Sequence, residues 1–523
     1  MFNETFNFMS SFCKFYKEVK QVSYDSGQTW ENLDEYRKGD LYETGSVDCG
    51  GGITQYRWVN VSGQYTCVGT TKYQKTKKQQ STDGGNTWSD VSPIEYGIGA
   101  VIEYNSSDCG SYNSQYLTFV ATESGTFKFN GTVISNSIQY SLDSGTTWST
   151  LANFTNSPTV QSGKKIMWKG ELTTTDSSGH TYNGIGDFSS TNSFTVEGNV
   201  MSLLYGDNFV NQTSLNEERK LMWLFKNCTY LTSAENLILP ATTLAEDCYY
   251  GMFDGCTSLT TAPQLPATTL ADSCYNRMFE GCRSLTTAPV LSATTLEVGC
   301  YIYMFSGCTS LTTAPSTLPA TTLTQSCYLG MFYGCTSLTT APQLPATTLA
   351  DSCYWGMFRD CTSLTTAPQL PATTLAYSCY AGMFWGCTSL TTAPVLLATT
   401  LANYCYSNMF NGCTSLTTAP STLPATTLAY YCYNSMFRDC TSLTTAPQLP
   451  ATTLTQSCYN GMFYGCTRLN YIKCLATDIS AYWCTTDWVN GVASSGTFVK
   501  ASSMSSWTSG SNGIPNNWSI QNA

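Results

Sequence analysis

The sequence predicts a multidomain chain in which all-β modules and a β-sandwich lead into a repeat solenoid closed by a C-terminal cap. Three observations carry this. Over residues 244–467 nine copies of a unit of about 26 residues follow each other without a linker, a period that fits stacked supersecondary units. Ahead of it, an octet ending in Thr-Trp occurs three times. Between the two, β-branched and aromatic runs alternate with Gly, Asn and Ser clusters, as short antiparallel strands do.

In chain order, residues 1–19 carry Glu4 and no uninterrupted apolar stretch. They read as an attachment segment and not as a secretory leader, so the chain is expected not to leave the cell by the usual route. Residues 20–114 form a duplicated module. Ser23-Tyr24-Asp25-Ser26-Gly27-Gln28-Thr29-Trp30 recurs as Ser81-Thr82-Asp83-Gly84-Gly85-Asn86-Thr87-Trp88, and each copy is followed by Asp-Cys-Gly, at Cys49 and Cys109. A third octet, Ser141 to Trp148, sits in the predicted sandwich over 115–199. The shared Ser-x-Asp-x-Gly-x-Thr-Trp is the Asp-box pattern and resembles the hairpin motif of sialidases. It is a turn device: Asp accepts backbone N–H bonds, Gly takes φ > 0 and Trp packs beneath.

Residues 200–243 are expected to cap the solenoid, because Leu224-Phe225 and Cys228 stand where the repeat has Met-Phe and its second Cys. The nine repeats occupy 244–472. Relative to a leading Cys (Cys248, Cys274, Cys300, Cys327, Cys353, Cys379, Cys405, Cys432, Cys458), the constant residues are Leu at −4, Tyr at +1, Met at +4, Phe at +5 and Cys at +8. That stripe predicts one short amphipathic helix per repeat. Leu259-Thr260-Thr261-Ala262, ended by Pro263, predicts one short strand. Ser316-Thr317 and Ser421-Thr422 lengthen two repeats to 27 residues. Residues 473–523 form the C-terminal cap, with Trp488-Val489 in the Met-Phe positions.

The run Met-Phe-x-Gly-Cys-Thr-Ser-Leu-Thr followed by Leu-Pro-Ala-Thr-Thr-Leu resembles the BspA-like bacterial leucine-rich repeat family, with Met where that family usually has Ala and a slightly longer repeat. The assembly of modules, repeats and cap is similar to surface adhesins of anaerobic gut bacteria and to tail-fibre proteins of their phages. The resemblance implies a leucine-rich-repeat-type solenoid and a receptor-binding protein. Its partners would be a host surface polysaccharide or protein and, through the N-terminus, other virion tail proteins, in a homo-oligomer and foremost a trimer. The lack of a leader favours a virion tail assembled in the host cytoplasm over a bacterial cell surface. A structural virion component or adhesin with purely architectural repeats is the alternative.

Composition excludes several classes. A net charge of −11 with 11% charged residues and a pI near 4.7 opposes nucleic acid, whose phosphates need clustered Lys and Arg. No apolar run is long enough for a membrane span. Two Cys eight residues apart on a helix lie about 12 Å from each other at 1.5 Å per residue, beyond the roughly 7 Å a disulfide allows. The 25 Cys are therefore expected as ladders of buried thiols, with cross-repeat disulfides or metal as the alternatives. Cys13, Cys49, Cys67 and Cys109 are more open to pairing. No His or carboxylate joins the constant columns, so neither metal nor cofactor is expected. The single histidine, His180, sits in a Ser-Ser-Gly-His-Thr turn without a nucleophile beside it. A sialidase-like hydrolase would need an arginine cluster, and only Arg37, Arg57 and Arg219 precede the repeats. No catalysis is expected.

The binding candidates are bulky aromatics in the variable columns −2, +2 and +6, which a helix would turn to solvent. They are Tyr333, Trp355, Tyr377, Trp385, Tyr430 and Tyr464, with Tyr404 beside them. Exposed aromatics next to Asn, Asp and Arg suit protein interfaces and sugar platforms.

Overall fold

The computed structural model describes residues 115–133, 138–505 and 507–523, and before them the backbone of six strands between residues 15 and 103. The chain divides into two compact units, Met1–Ser111 and Tyr112–Ala523. In the first unit β1 (Phe15–Val22) pairs antiparallel with β2 (Glu31–Leu41). β3 (Gln55–Val68) pairs with β4 (Thr71–Ser81), which also takes β5 (Ser89–Asp90) and β6 (Tyr96–Glu103). The first octet, residues 82–88 of the second, and the side chains of Cys13, Cys49, Cys67 and Cys109 lie outside the described residues.

The second unit begins with a two-sheet sandwich. Its strands are β7 (Leu117–Ala121), β8 (Phe127–Gly131), β9 (Ile138–Ser141), β10 (Ser149–Leu151), β11 (Lys165–Gly170), β12 (Gly186–Ser190) and β13 (Phe194–Asn199). Strands β10-β9-β11-β7-β13 form one sheet, and β12 with β8 the other. Period-2 alternation puts Phe127 and Phe129 of β8 inside, where Phe127 meets Phe119 and Phe194 and Phe129 meets Phe188. The third octet is the β9–β10 turn. Asp143 accepts the Thr147 N–H at 2.9 Å and its hydroxyl at 2.6 Å, Gly145 has φ +85°, and the Trp148 indole N–H donates to the Gly145 carbonyl.

Beyond a single four-residue helix, α1 (Ser202–Tyr205), the described chain turns into stacked coils. The expected helix of each repeat is absent. Its residues form a ribbon of overlapping β-turns. In the first coil the amides of Cys248, Tyr250, Met252, Asp254 and Cys256 donate to the carbonyl three residues back. The intervening amides, Asp247, Tyr249, Gly251, Phe253 and Gly255, donate to Asp272, Cys274, Asn276, Met278 and Glu280 of the next coil. Every ribbon N–H thus has a partner, half within the coil and half across it, which satisfies the backbone as completely as a helix does.

The turns require φ > 0 at columns −1, +3 and +7, for example Asp247 (+53°), Gly251 (+55°) and Gly255 (+74°), the third position of a type II turn. Gly, Asn, Asp and Ser fill most of these sites. The constant side chains at 0, +1, +4, +5 and +8 then share one face because the ribbon repeats every four residues. All are buried. Tyr249 stacks on Tyr275 at 5.7 Å and 4°, and Phe253 on Phe279 at 5.3 Å and 1°, and the same ladders continue to Tyr459 and Phe463.

The expected strand is also reduced. Between coils it survives as single parallel bridges, Thr261↔Thr287↔Thr313 and Thr340↔Thr366↔Thr392↔Thr418. Where the repeat gains a residue, pairing passes to Thr317↔Gln343 and Thr422↔Gln448. Full strands occur only at the two ends. β14 (Leu231–Ile238), in the entry coil that precedes the coil of Cys248, pairs parallel with β13 of the sandwich. β15 (Tyr471–Cys474) continues in parallel into β16 (Thr497–Lys500) and β17 (Ser519–Asn522). Phe225 touches Phe119 and Phe188 of the sandwich and stacks on Phe253 at 5.4 Å. One apolar core therefore runs from Leu117 to Trp518.

Every described Cys is a free thiol. The second Cys of each coil donates its S–H to the Phe carbonyl of the coil before, as Cys361 does to Phe332 at 3.0 Å. Burial pushes the Cys274 thiol from its ordinary 9.0 up to about 12, so these thiols stay protonated and unreactive. The described residues hold no helix long and apolar enough to cross a membrane and no cluster of metal-ligating side chains.

Candidate functional site

The ribbon decides which columns face out. With the constant columns turned inward, columns −2, −1, +2, +3, +6 and +7 meet solvent or lie beside it. In most coils this surface is filled by its own side chains. Tyr303 lies over Gly330, and Arg277 pairs with Glu280 while its guanidinium lies 5.0 Å from the Tyr303 ring.

Four successive coils, those of Cys353, Cys379, Cys405 and Cys432, leave a cleft of about 340 Å³. That lies at the lower end of the range for small-ligand sites. Its floor is small: Gly356, Ser378, Ala381, Gly382 and Ser407. One wall is Trp385 with the Arg359 guanidinium 3.9 Å from its ring centre. The opposite wall is Tyr404 stacked on Tyr431 at 4.7 Å and 7°. Trp355 and Asn434 also line it, and Asn408 donates to the Ser407 hydroxyl at 3.0 Å. Burial, then the neighbouring Tyr431 and Tyr377, pushes the Tyr404 phenol upward, which keeps it a neutral hydroxyl.

Trp355, Trp385 and Tyr404 are brought together here; the other predicted residues are not in the lining. Tyr333 is one coil back, with Arg359 between it and Trp385, 5.6 Å from its ring centre. Tyr377 is 48% exposed and meets Tyr404 edge-on, and Tyr430 is 54% exposed beside Tyr431. Tyr464 lies under Arg438 at 4.2 Å, one coil beyond the cleft. Tyr431, Arg359, Asn408 and Asn434 were missed. Tyr431 and Asn408 occupy columns −1 and +3, which a helix would not have placed beside the variable ones. Their signal was the left-handed residue recurring every four positions. His180 is exposed, in a turn whose amides Asp176 accepts, and lies far along the chain from the cleft.

A solenoid of stacked coils whose core is a Leu, Cys, Tyr, Met and Phe ladder places the chain among leucine-rich-repeat proteins. The model of the BspA type leucine-rich repeat region matches in six copies, over residues 222–365, 275–417 and 380–483, and the chain belongs to that family. Among solved structures, a leucine-rich repeat protein from Eubacterium ventriosum is 14% identical over 61% of this chain and 94% of its own, with a TM-score of 0.19. At that score the superposition adds nothing to the fold. No curated protein matches the chain.

Proposed function

We propose that this leucine-rich-repeat chain is a cell-surface recognition protein of the adhesin or tail-fibre type, which holds a host-surface ligand on its turn-ribbon face and performs no catalysis. The observation that carries this is the cleft. Nearly identical coils could have filled that surface uniformly, yet four of them combine small floor residues with aromatic walls. Aromatic anchors around a concavity are what binding sites use. The sheet side is a repetitive Thr surface, which offers a ligand little to discriminate. In the tail-fibre setting, residues 1–19 would attach to other tail proteins and the chain would assemble as a trimer.

The test is binding of the full chain to cells of candidate hosts, alongside a Trp355→Ala, Trp385→Ala double variant of unchanged circular dichroism. Saturable binding that the double variant loses is expected. Binding kept by the variant moves the site to the sheet side or the C-terminal cap, where Tyr482 and Trp483 stack at 4.1 Å and are 61% and 51% exposed. Absence of binding by both proteins to every host makes the repeats architectural.

A further inference from the structure

We propose that the cleft takes an acidic glycan, lying across the coils with its sugar faces on the aromatic walls and a carboxylate-bearing sugar at Arg359. This rests on the recognition reading above and assigns its ligand class.

The walls present ring faces at the edges of a small-residue floor. Sugars stack their apolar C–H faces on such rings while their hydroxyls seek amide and hydroxyl partners. Those partners are in place at Ser407, Asn408 and Asn434. They are held by side-chain bonds, Asn411 to Asn408 at 3.1 Å and Asn434 to Asn460 at 3.2 Å. Four coils make three steps of about 4.8 Å, a run of about 14 Å, which suits a short oligosaccharide better than a single sugar. The floor distinguishes this stretch from the coils before it. Column +2 carries Ile302 and Leu329 two and one coils earlier, and column +3 carries Arg277 and Tyr303.

The charge points to an acid. Among the lining residues Arg359 is the one formal charge, and no carboxylate faces it from the cleft. Arg359 forms an ion pair with Asp360 through Nε at 3.6 Å, longer than a hydrogen bond, so the pair holds the buried Nε and leaves the terminal guanidinium nitrogens for a ligand. The guanidinium spends its face on Trp385, and its planar edge keeps the N–H fork that matches a carboxylate. The net charge of −11 opposes a polyanion at long range, but beyond about 8 Å physiological salt screens it. Recognition is therefore local to Arg359.

The experiment uses the full chain on an array of uronic-acid, sialic-acid and neutral oligosaccharides. It is followed by tryptophan-fluorescence titration with the best acidic binder and with its carboxyl-reduced form. The acid should bind at least about tenfold more tightly than the reduced sugar. Arg359→Gln should remove that preference, a loss of about tenfold or more in the ratio of acidic to reduced binding for a charge-assisted bond. Arg359→Lys should fall between, and Trp385→Ala should abolish both. Equal affinity for acidic and reduced probes, untouched by Arg359→Gln, overturns the acidic assignment. No glycan binding while host cells are still bound through Trp355 and Trp385 overturns the glycan class and leaves recognition standing. No binding to glycans or cells removes both.

Discussion

Replacing Gly281 or Gly412 with Ala separates a turn ribbon from a helix by the sign of the stability change. In a helix, Ala stabilises relative to Gly by about 0.5–1 kcal/mol. In the ribbon these glycines have φ +70° and +73°, where an L side chain costs about 1–2 kcal/mol. Sterics do not confuse the comparison. A Cβ at Gly281 would meet the Gly255 Cα at 3.7 Å, and one at Gly412 the Gly386 Cα at 3.8 Å, both ordinary contacts. Each variant should therefore lose about 1–2 kcal/mol, and Gly281→Asn should lose less, because Asn tolerates the left-handed region. The assay is guanidinium unfolding followed by far-UV circular dichroism, comparing midpoints at unchanged slope. Two Ala variants as stable as the parent, or more so, would refute the ribbon.

Four further outcomes follow from the same geometry. Cys361→Ala removes the thiol that donates to the Phe332 carbonyl and leaves a small void, so it should lower stability by about 1–2 kcal/mol in the same assay. Repeat thiols should resist a disulfide reagent at pH 8 in the native chain and react fully in denaturant. Burial raises Cys274, Cys327 and Cys405 from 9.0 to about 12, so the unfolded chain releases protons first. Stability should be full below pH 9 and fall as pH rises toward 12, as read by circular dichroism. Asp143 runs the other way. Hydrogen bonds from the Thr147 hydroxyl and amide lower its carboxyl from 3.8 to about 2, so the sandwich hairpin should weaken as pH falls from about 4 toward 2, and Asp143→Asn should flatten that acid limb.

Much of the fold was legible, and where it was not the reason is arithmetic. Constant residues at −4, 0, +4 and +8, with partners at +1 and +5, keep a period of four. An α-helix turns once every 3.6 residues, so a strict four-residue spacing drifts by about 40° per step and leaves the apolar stripe within three turns. The Gly, Asn, Asp and Ser at −1, +3 and +7 pointed the same way, since Gly251 and Gly255 inside one short helix would both weaken it. The short strand was overestimated because Thr260-Thr261 has the right propensity but only Thr261 of that run makes a bridge, and the further pairings of a coil are isolated bridges as well. Of the site, the aromatics could be read from the columns, and the concavity could not. It arises from small residues at −1, +2 and +3 of three coils, Gly356, Ser378, Ala381, Gly382 and Ser407, a juxtaposition fixed by the stacking register. Arg359 was visible as a variable residue, but its stacking on Trp385 depends on column +6 aligning between coils.

The cross-coil amide bonds join the same pair of columns between successive copies, +1 to 0 in Tyr249 to Cys274 and in Tyr275 to Cys300 alike. A coil could thus be duplicated or deleted without stranding a donor or acceptor on either neighbour. Length is consequently a free genetic variable, adjustable by unequal recombination within the gene while the sandwich and the C-terminal strands stay as they are. The outward columns form a grid on which single substitutions write and erase features without touching the core, so descendants of this chain can change reach and preference by separate routes.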